Sequence, residues 1–306
     1  MTVVVALDAF KGCLSAADAC AAVADGLRAA APAAELRLVP MADGGEGTAA
    51  ALLAARPGGV WVRREVCGPL PGRTVEAGFA WFADDGTAVV EMAAASGLPL
   101  LAVDERDPER TTTRGTGELL AAAVAQGARR ILLTIGGSAT VDGGVGAAAA
   151  LGWRFLGADG RDVPPGGGHL GEIARIVPPV ARQLPSVTVL CDVTNPLCGP
   201  DGAAAVFGPQ KGATPRQVAQ LDAGLRHFAE RIAADVGRDV LALPGGGAAG
   251  GLGAGAAAFF DAVLTPGIDA VIDACGLRQA LRKAAWCITG EGCFDQTSLR
   301  GKVVSG

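Results

Sequence analysis

The chain has 306 residues, enough for one or two domains with a sizeable core. Its net charge of −5, with both signs scattered, offers no basic stripe for a nucleic-acid backbone, and no apolar run reaches the roughly 18 residues that a bilayer span requires. The N-terminus MTVVVALDAFKG lacks a basic start and carries Asp8 where a signal peptide needs an apolar core, so the sequence reads as cytoplasmic, and its eight cysteines, without a C-x-x-C pair, read as reduced thiols.

From the N-terminus, β-branched runs alternate with alanine-rich helical stretches: a strand at 2–6, a helix at 16–30, a strand at 35–39 and a helix at 48–55. Ser15 with Asp18 three positions on resembles a capping box and predicts a helix start there. Runs at 61–65, 74–82 and 87–91 follow closely with only Gly, Pro and Asp turns between them, which predicts an antiparallel or mixed insertion. The strand–helix rhythm returns with strands at 130–135, 186–190 and 286–289, so the fold class is α/β with a helix-covered parallel sheet. The glycine- and proline-rich stretches at 164–168 and 244–255 read as loops or domain seams.

Ligands of open α/β sheets bind beyond the carboxyl ends of the strands, and here an aspartate follows strand after strand: Asp8, Asp43, Asp142, Asp192 and Asp295. Any one of them suits a turn or a helix cap. Five at strand ends point to a carboxylate cluster able to hold Mg²⁺ and to take a proton from a hydroxyl. The pattern D-G-G-x-G occurs at 43–47 and again at 142–146, more often than the glycine content explains, and such loops turn backbone N–H groups inward as anion nests. The alternative reading of these glycines is close strand–helix packing alone. Gly136-Gly137-Ser138-Ala139-Thr140 adds hydroxyls before the second nest, and Arg114 opens a helix after a run of three threonines. Lys11 and Arg114 are the best-placed cations, followed by Lys211 and Lys302. A P-loop is absent, because Gly301-Lys302 is followed by Val303; no G-x-S-x-G elbow occurs; and the dinucleotide-like Gly251-x-Gly253-x-x-Ala256 lies inside a glycine run where such a match carries little weight.

Together these segments resemble the bacterial type-1 glycerate kinase family along nearly the whole chain. The resemblance rests on ALDAFKGCLSA (6–16), PMADGGEGT (40–48), EMAAASGL (91–98), TTRGTGEL (112–119), IGGSATVDGGVGAAAAL (135–151), CDVTNPLCG (191–199), VFGPQKG (206–212), GGGAAGGLGAG (245–255) and TGEGCFDQTSLRGK (289–302). Leu7, Ala9 and Cys13 depart from the family's usual proline, serine and serine, while Asp8 and Lys11 remain. The resemblance implies two α/β domains: a Rossmann/flavodoxin-like parallel sheet built from 1–58 plus 268–306, and an inserted mixed α/β domain at 59–267, with the active site in the cleft between them. It implies ATP and Mg²⁺ as cofactors, D-glycerate as acceptor and 2-phosphoglycerate as product, with the family continuing past the loop that begins at Gly301. A homo-oligomer stays open. The alternatives are a kinase of the same fold for another small hydroxy acid, and a truncated, non-catalytic anion- or nucleotide-binding protein.

The roles expected of the residues follow from the strand-end carboxylates and the nests. Asp192 or Asp8 takes the hydroxyl proton, and Lys11 and Arg114 neutralise carboxylate or phosphoryl charge. Gly44, Gly45, Gly136, Gly137, Ser138, Thr140, Asp142, Gly143, Gly144, Asn195 and Lys211 bind substrate or phosphate, and Asp43, Glu46 and Asp295 hold the metal.

Overall fold

The computed structural model describes residues 1–10, 13–180, 184–293 and 303–305. The elements run β1 (Thr2–Leu7), α1 (Ala16–Ala30), β2 (Glu35–Leu38), α2 (Thr48–Ala55), β3 (Gly59–Cys67), β4 (Thr74–Phe82), β5 (Thr87–Glu91), α3 (Ala93–Ser96), α4 (Arg114–Ala125), β6 (Arg130–Thr134) and α5 (Val145–Ala150). They continue as β7 (Arg154–Leu156), β8 (Arg175–Val177), β9 (Ser186–Leu190), α6 (Ala203–Phe207), α7 (Pro215–Val236), α8 (Ala248–Phe259), β10 (Val263–Thr265), α9 (Gly267–Ala274), α10 (Leu277–Leu281) and β11 (Trp286–Gly290). Among the described residues, no helix is long and apolar enough to cross a membrane.

Two sheets organise the chain. A parallel three-stranded sheet has the order β11-β1-β2, so its strands come from both ends of the described chain, with Val3 opposite Trp286 and Leu7 opposite Gly290. A six-stranded mixed sheet has the order β10-β9-β6-β5-β4-β3; its first four strands are parallel, and β5, β4 and β3 form the antiparallel arm expected of 61–91. A small β7–β8 hairpin completes the strands described.

The period-2 alternation of the strands assigns each core. In the six-stranded sheet, Phe79, Trp81, Ala88, Val90, Ile131, Leu133, Val187 and Val189 face a core shared with α4, α5, α7 and α8. Their neighbours Ala80, Phe82, Val89, Leu132 and Leu190 face the opposite way and meet α2, α9 and α10. That second core also takes Val4 and Ala6 of β1, whereas Val5 and Leu7 point to α1. The sequence of layers is therefore α1, small sheet, middle helices, large sheet, outer helices. Burial on both faces explains the unbroken apolar character of β5 and β6, where each fully buried Val, Leu or Ile contributes ~1.5–3 kcal/mol.

One sequence expectation is corrected. The stretch 244–255 is not all loop, because α8 begins at Ala248. The glycines there serve close approach: a Cβ on Gly253 would lie 2.3 Å from Gly245 O, and one on Gly255 would lie 2.2 Å from Gly143 O. The helix enters through a left-handed turn, with positive φ at Ala249 (53°), Gly250 (66°) and Gly251 (92°).

Candidate active site

Three strand ends converge on one cavity of about 220 Å³. From β6 come Ile135, Gly136, Gly137 and Ser138; from β9 come Cys191, Asp192 and Val193; from the first D-G-G-x-G loop come Gly44 and Gly45. Phe207, Gln210 and Lys211 close one wall, and Ala248 and Ala249 another. The loop carrying Asp43 is seated directly on the start of α9. Gly44 has φ 94°, and a Cβ on it would lie 2.4 Å from Gly267 Cα; a Cβ on Gly267 would lie 2.1 Å from Asp43 O. No side chain fits between these backbones.

Asp192 is the carboxylate this arrangement presents. Its Oδ1 accepts the Gly267 N–H at 2.7 Å, at the first turn of α9. Solvent reaches Asp192, yet the protein around its carboxyl desolvates it and pushes its pKa up to about 6; the Gly267 N–H pulls the other way, and the negative charge of Asp43 adds to the rise. Asp43 in turn accepts the Gly45 N–H through Oδ1 at 3.0 Å, which folds the loop around it. Two carboxylates that follow strands of different sheets thus feel one another.

Opposite them is a buried cation. Lys211 is 1% exposed, and its Nζ donates to Ser138 Oγ at 2.6 Å and to Thr140 O at 2.7 Å. Burial pushes the ammonium down to about 7, with the negative charge of Asp142 opposing the shift. The second D-G-G-x-G loop lies beneath this lysine and uses its nest differently from the sequence expectation. Asp142, fully buried, accepts the Thr113 N–H at 2.8 Å, the Thr113 hydroxyl at 2.9 Å, the Gly144 N–H at 3.1 Å and the Gly146 N–H at 3.2 Å. Burial pushes this carboxyl up, and the four donors hold it back. The anion in this nest is the protein's own carboxylate. Gly143 and Gly144 carry the left-handed turn around it and pack against Phe228 and Leu252, outside the cavity lining.

Other expected residues are placed as follows. Arg114 pairs through Nε with Glu118 Oε1 at 3.0 Å and lines a separate cavity of about 370 Å³ that also holds Arg154. Asn195 bonds Asp201 O through Nδ2 at 2.8 Å, and its carbonyl accepts the Gly247 N–H at 3.0 Å, which fastens the start of α8. Asp8 receives the Ala9 N–H at 2.6 Å, while its own N–H donates to Gly290 O at 2.9 Å. It is not among the residues lining the cavity of Asp192. Glu46 is exposed on the first loop, and Thr140 is buried with its carbonyl on Lys211. Lys11, Asp295 and Lys302 lie outside the described residues. Among the described residues no group of three or more Asp, Glu, His or Cys side chains forms a metal cage.

Two contributors escape the sequence reading. Glu91, at the end of β5, accepts the Ala49 N–H at 2.7 Å and the Gly47 N–H at 3.4 Å, and so caps α2, whose own N-cap Gly47 has no side chain to do it. Burial pushes the Glu91 carboxyl upward. Ala249 puts a methyl on the cavity wall from a left-handed backbone that costs an L-residue ~1–2 kcal/mol. The signal for Glu91 lay in the segment EMAAASGL; Ala249 was hidden by the glycine run around it.

The profile of the glycerate kinase family matches residues 3–306. A glycerate kinase of Halalkalibacterium halodurans is 47% identical over 100% of this chain and 80% of its own length. The glycerate 2-kinase of Escherichia coli K12 is 44% identical over 100% of this chain and 81% of its own length. A solved structure assigned as a glycerate kinase 2 from Salmonella typhimurium LT2 superposes with a TM-score of 0.92 at 46% identity, covering 98% of this chain and 81% of that one. This chain belongs to the glycerate kinase family.

Proposed function

We propose that this chain is a cytoplasmic enzyme of glycerate metabolism that transfers the γ-phosphoryl group of ATP to D-glycerate, giving 2-phosphoglycerate, in the cavity lined by Gly44, Gly45, Ser138, Asp192 and Lys211. The observation that carries the reading is the carboxyl of Asp192, fixed by the Gly267 N–H and raised to about 6, in a cavity whose other wall is a buried lysine. A base with a pKa close to the working pH accepts a hydroxyl proton and returns it to solvent after each turnover. Asp192 takes the proton from the acceptor hydroxyl; the oxygen forms its bond to the γ-phosphorus as the bond to the β-phosphate oxygen breaks; ADP leaves. Asp192 is preferred to Asp8 because it lines the cavity. Ser138, Gly136, Gly137, Gly44 and Gly45 supply the polar and backbone surface for the anionic groups, and Lys211 the positive charge.

Mg²⁺ uses one or two carboxylates together with water and phosphate oxygens rather than an all-protein cage. Asp43 fits that requirement: it stands at the cavity's glycine loop, and its charge is felt by Asp192. Glu46 on the same loop and Asp295 are the further candidates. When bound, the ion would neutralise the donor phosphates. We also propose the division into a discontinuous Rossmann/flavodoxin-like domain, 1–58 with 268–306, and an inserted α/β domain, 59–267. Its support is the pairing of β11 with β1 and the confinement of β3–β10 to other sheets.

The test is ADP release over a panel of hydroxy acids and polyols, with the product offered directly to enolase. D-glycerate should exceed every other acceptor at least tenfold in kcat/KM, and its product should be consumed without a mutase. A better acceptor, or ATP binding without turnover, would overturn the assignment.

A further inference from the structure

Lys211 is placed as few lysines are. The side chain is closed off from bulk solvent, yet the residue forms part of the wall of the cavity that holds Asp192. An ammonium has three N–H donors, and the protein accepts two of them, at Ser138 Oγ and Thr140 O. The third has no protein acceptor among the described residues. Beside it, the Thr140 hydroxyl is buried and also without a partner. Leaving donors unmatched in a desolvated place is costly unless a ligand completes them.

We propose that Lys211 is the anchor for the acceptor's carboxylate and that it takes up a proton when that carboxylate binds. The inference rests on the acceptor being a hydroxy acid. Physically, the free site desolvates the ammonium without matching it, so the neutral amine is populated; a carboxylate arriving at the third N–H restores the charged form. The titratable and charged groups that face Lys211 decide how the linkage is read. Asp142 lies beneath it and favours the ammonium, but its carboxylate is committed to four donors. Asp192 and Cys191 line the same cavity; Asp192 titrates near 6, and burial holds the Cys191 thiol above its usual range. Arg106 stands behind, donating to Gln210 O at 3.4 Å.

The value at Lys211 fixes the pH range of its uptake. With Lys211 near 7, proton uptake on glycerate binding should rise from ~0.1 per site at pH 6 to ~0.5 at pH 7 and ~0.9 at pH 8. An arriving carboxylate that raised Asp192 as well would give uptake beginning near pH 6 and ending above the raised value, so the loss of uptake in Lys211→Met is what assigns the proton to the lysine. The experiment is calorimetric titration of the protein with D-glycerate, without nucleotide, at pH 6 and 8 in buffers of different ionisation enthalpy. The expected result is a buffer-dependent heat at pH 8 approaching one proton, and a smaller one at pH 6. Buffer-independent heat at pH 8, or no binding of glycerate without nucleotide, would overturn the proposal, and this needs no variant to fold. In Lys211→Met the pH 8 uptake should vanish and glycerate affinity fall at least 100-fold, with ATP affinity within threefold. Loss of ATP affinity instead would assign the cation to the donor phosphates and overturn the carboxylate role. Turnover of D-glycerate, measured on the same preparation, separates failure of this inference from failure of the acceptor assignment.

Discussion

At the scale of single residues, the chemistry depends on where charge is desolvated. Asp192 is exposed, yet the protein around its carboxyl desolvates it and Asp43 adds a like charge, so its proton is held to about pH 6. Because the base must be ionised to act and Lys211 charged to hold the acceptor, kcat/KM should rise with pH through about 6 and fall again above about 7. Asp192→Asn keeps an oxygen for the Gly267 N–H, so the start of α9 should survive. Turnover should fall 10²–10⁴-fold and lose the acid limb. A pH–rate profile of the two proteins checks this; an Asn variant with the same limb would place the base elsewhere. The aspartates were legible in the sequence as strand-end residues. What was not legible is the division of labour among them, because local pattern is the same at 43–47 and 142–146, and only the tertiary neighbours decide whether a nest faces a cavity or its own carboxylate.

At the scale of elements, glycine does two jobs that look alike in sequence. In the first D-G-G-x-G loop it lets two backbones touch; in the second it lets a loop wrap a buried carboxylate. Gly44→Ala tests the first. The added Cβ must occupy a place 2.4 Å from Gly267 Cα at φ 94°, and the obstacle is backbone, which cannot rotate away. The loop must leave α9, carrying Asp43 away from Asp192. Expected are a stability loss of roughly 2–4 kcal/mol and at least a 100-fold fall in kcat, read from denaturant midpoints and steady-state rates. An Ala variant of wild-type activity would show that the contact is dispensable. Element prediction worked where periodicity was unbroken, as in β5, β6 and α1. It missed α7, although Thr214-Pro215 followed by Gln217 is a complete capping box closed at the far end by left-handed Gly237. It misplaced the start of α8, because glycines selected for close packing imitate a loop.

At the scale of the whole molecule, the cavity joins parts far apart in the chain: Gly44 and Gly45, next to Asp43, follow the small sheet, Ser138 and Asp192 follow strands of the large one, and Lys211 comes from the turn after α6. The middle helices α2 and α9 pack against both sheets, so the gap between Asp43 and Asp192 is set by the second core rather than by local sequence. This is why single-segment motifs suggested the parts and not the site. A ligand that engages both carboxylates and the lysine binds the native arrangement and not the unfolded chain. At 100 times its dissociation constant it should therefore add about 2.7 kcal/mol of stability. With Asp43 as the metal ligand, part of that gain requires Mg²⁺: calorimetric melting in ATP should rise further on adding Mg²⁺ to the wild type, and the increment should disappear in Asp43→Asn. Asp43→Asn keeps the side-chain oxygen that accepts the Gly45 N–H, so the loop stays closed and the readout reports the ion rather than the fold. An undiminished Mg²⁺ increment in that variant would move the metal to other carboxylates, with Glu46 and Asp295 the next to replace.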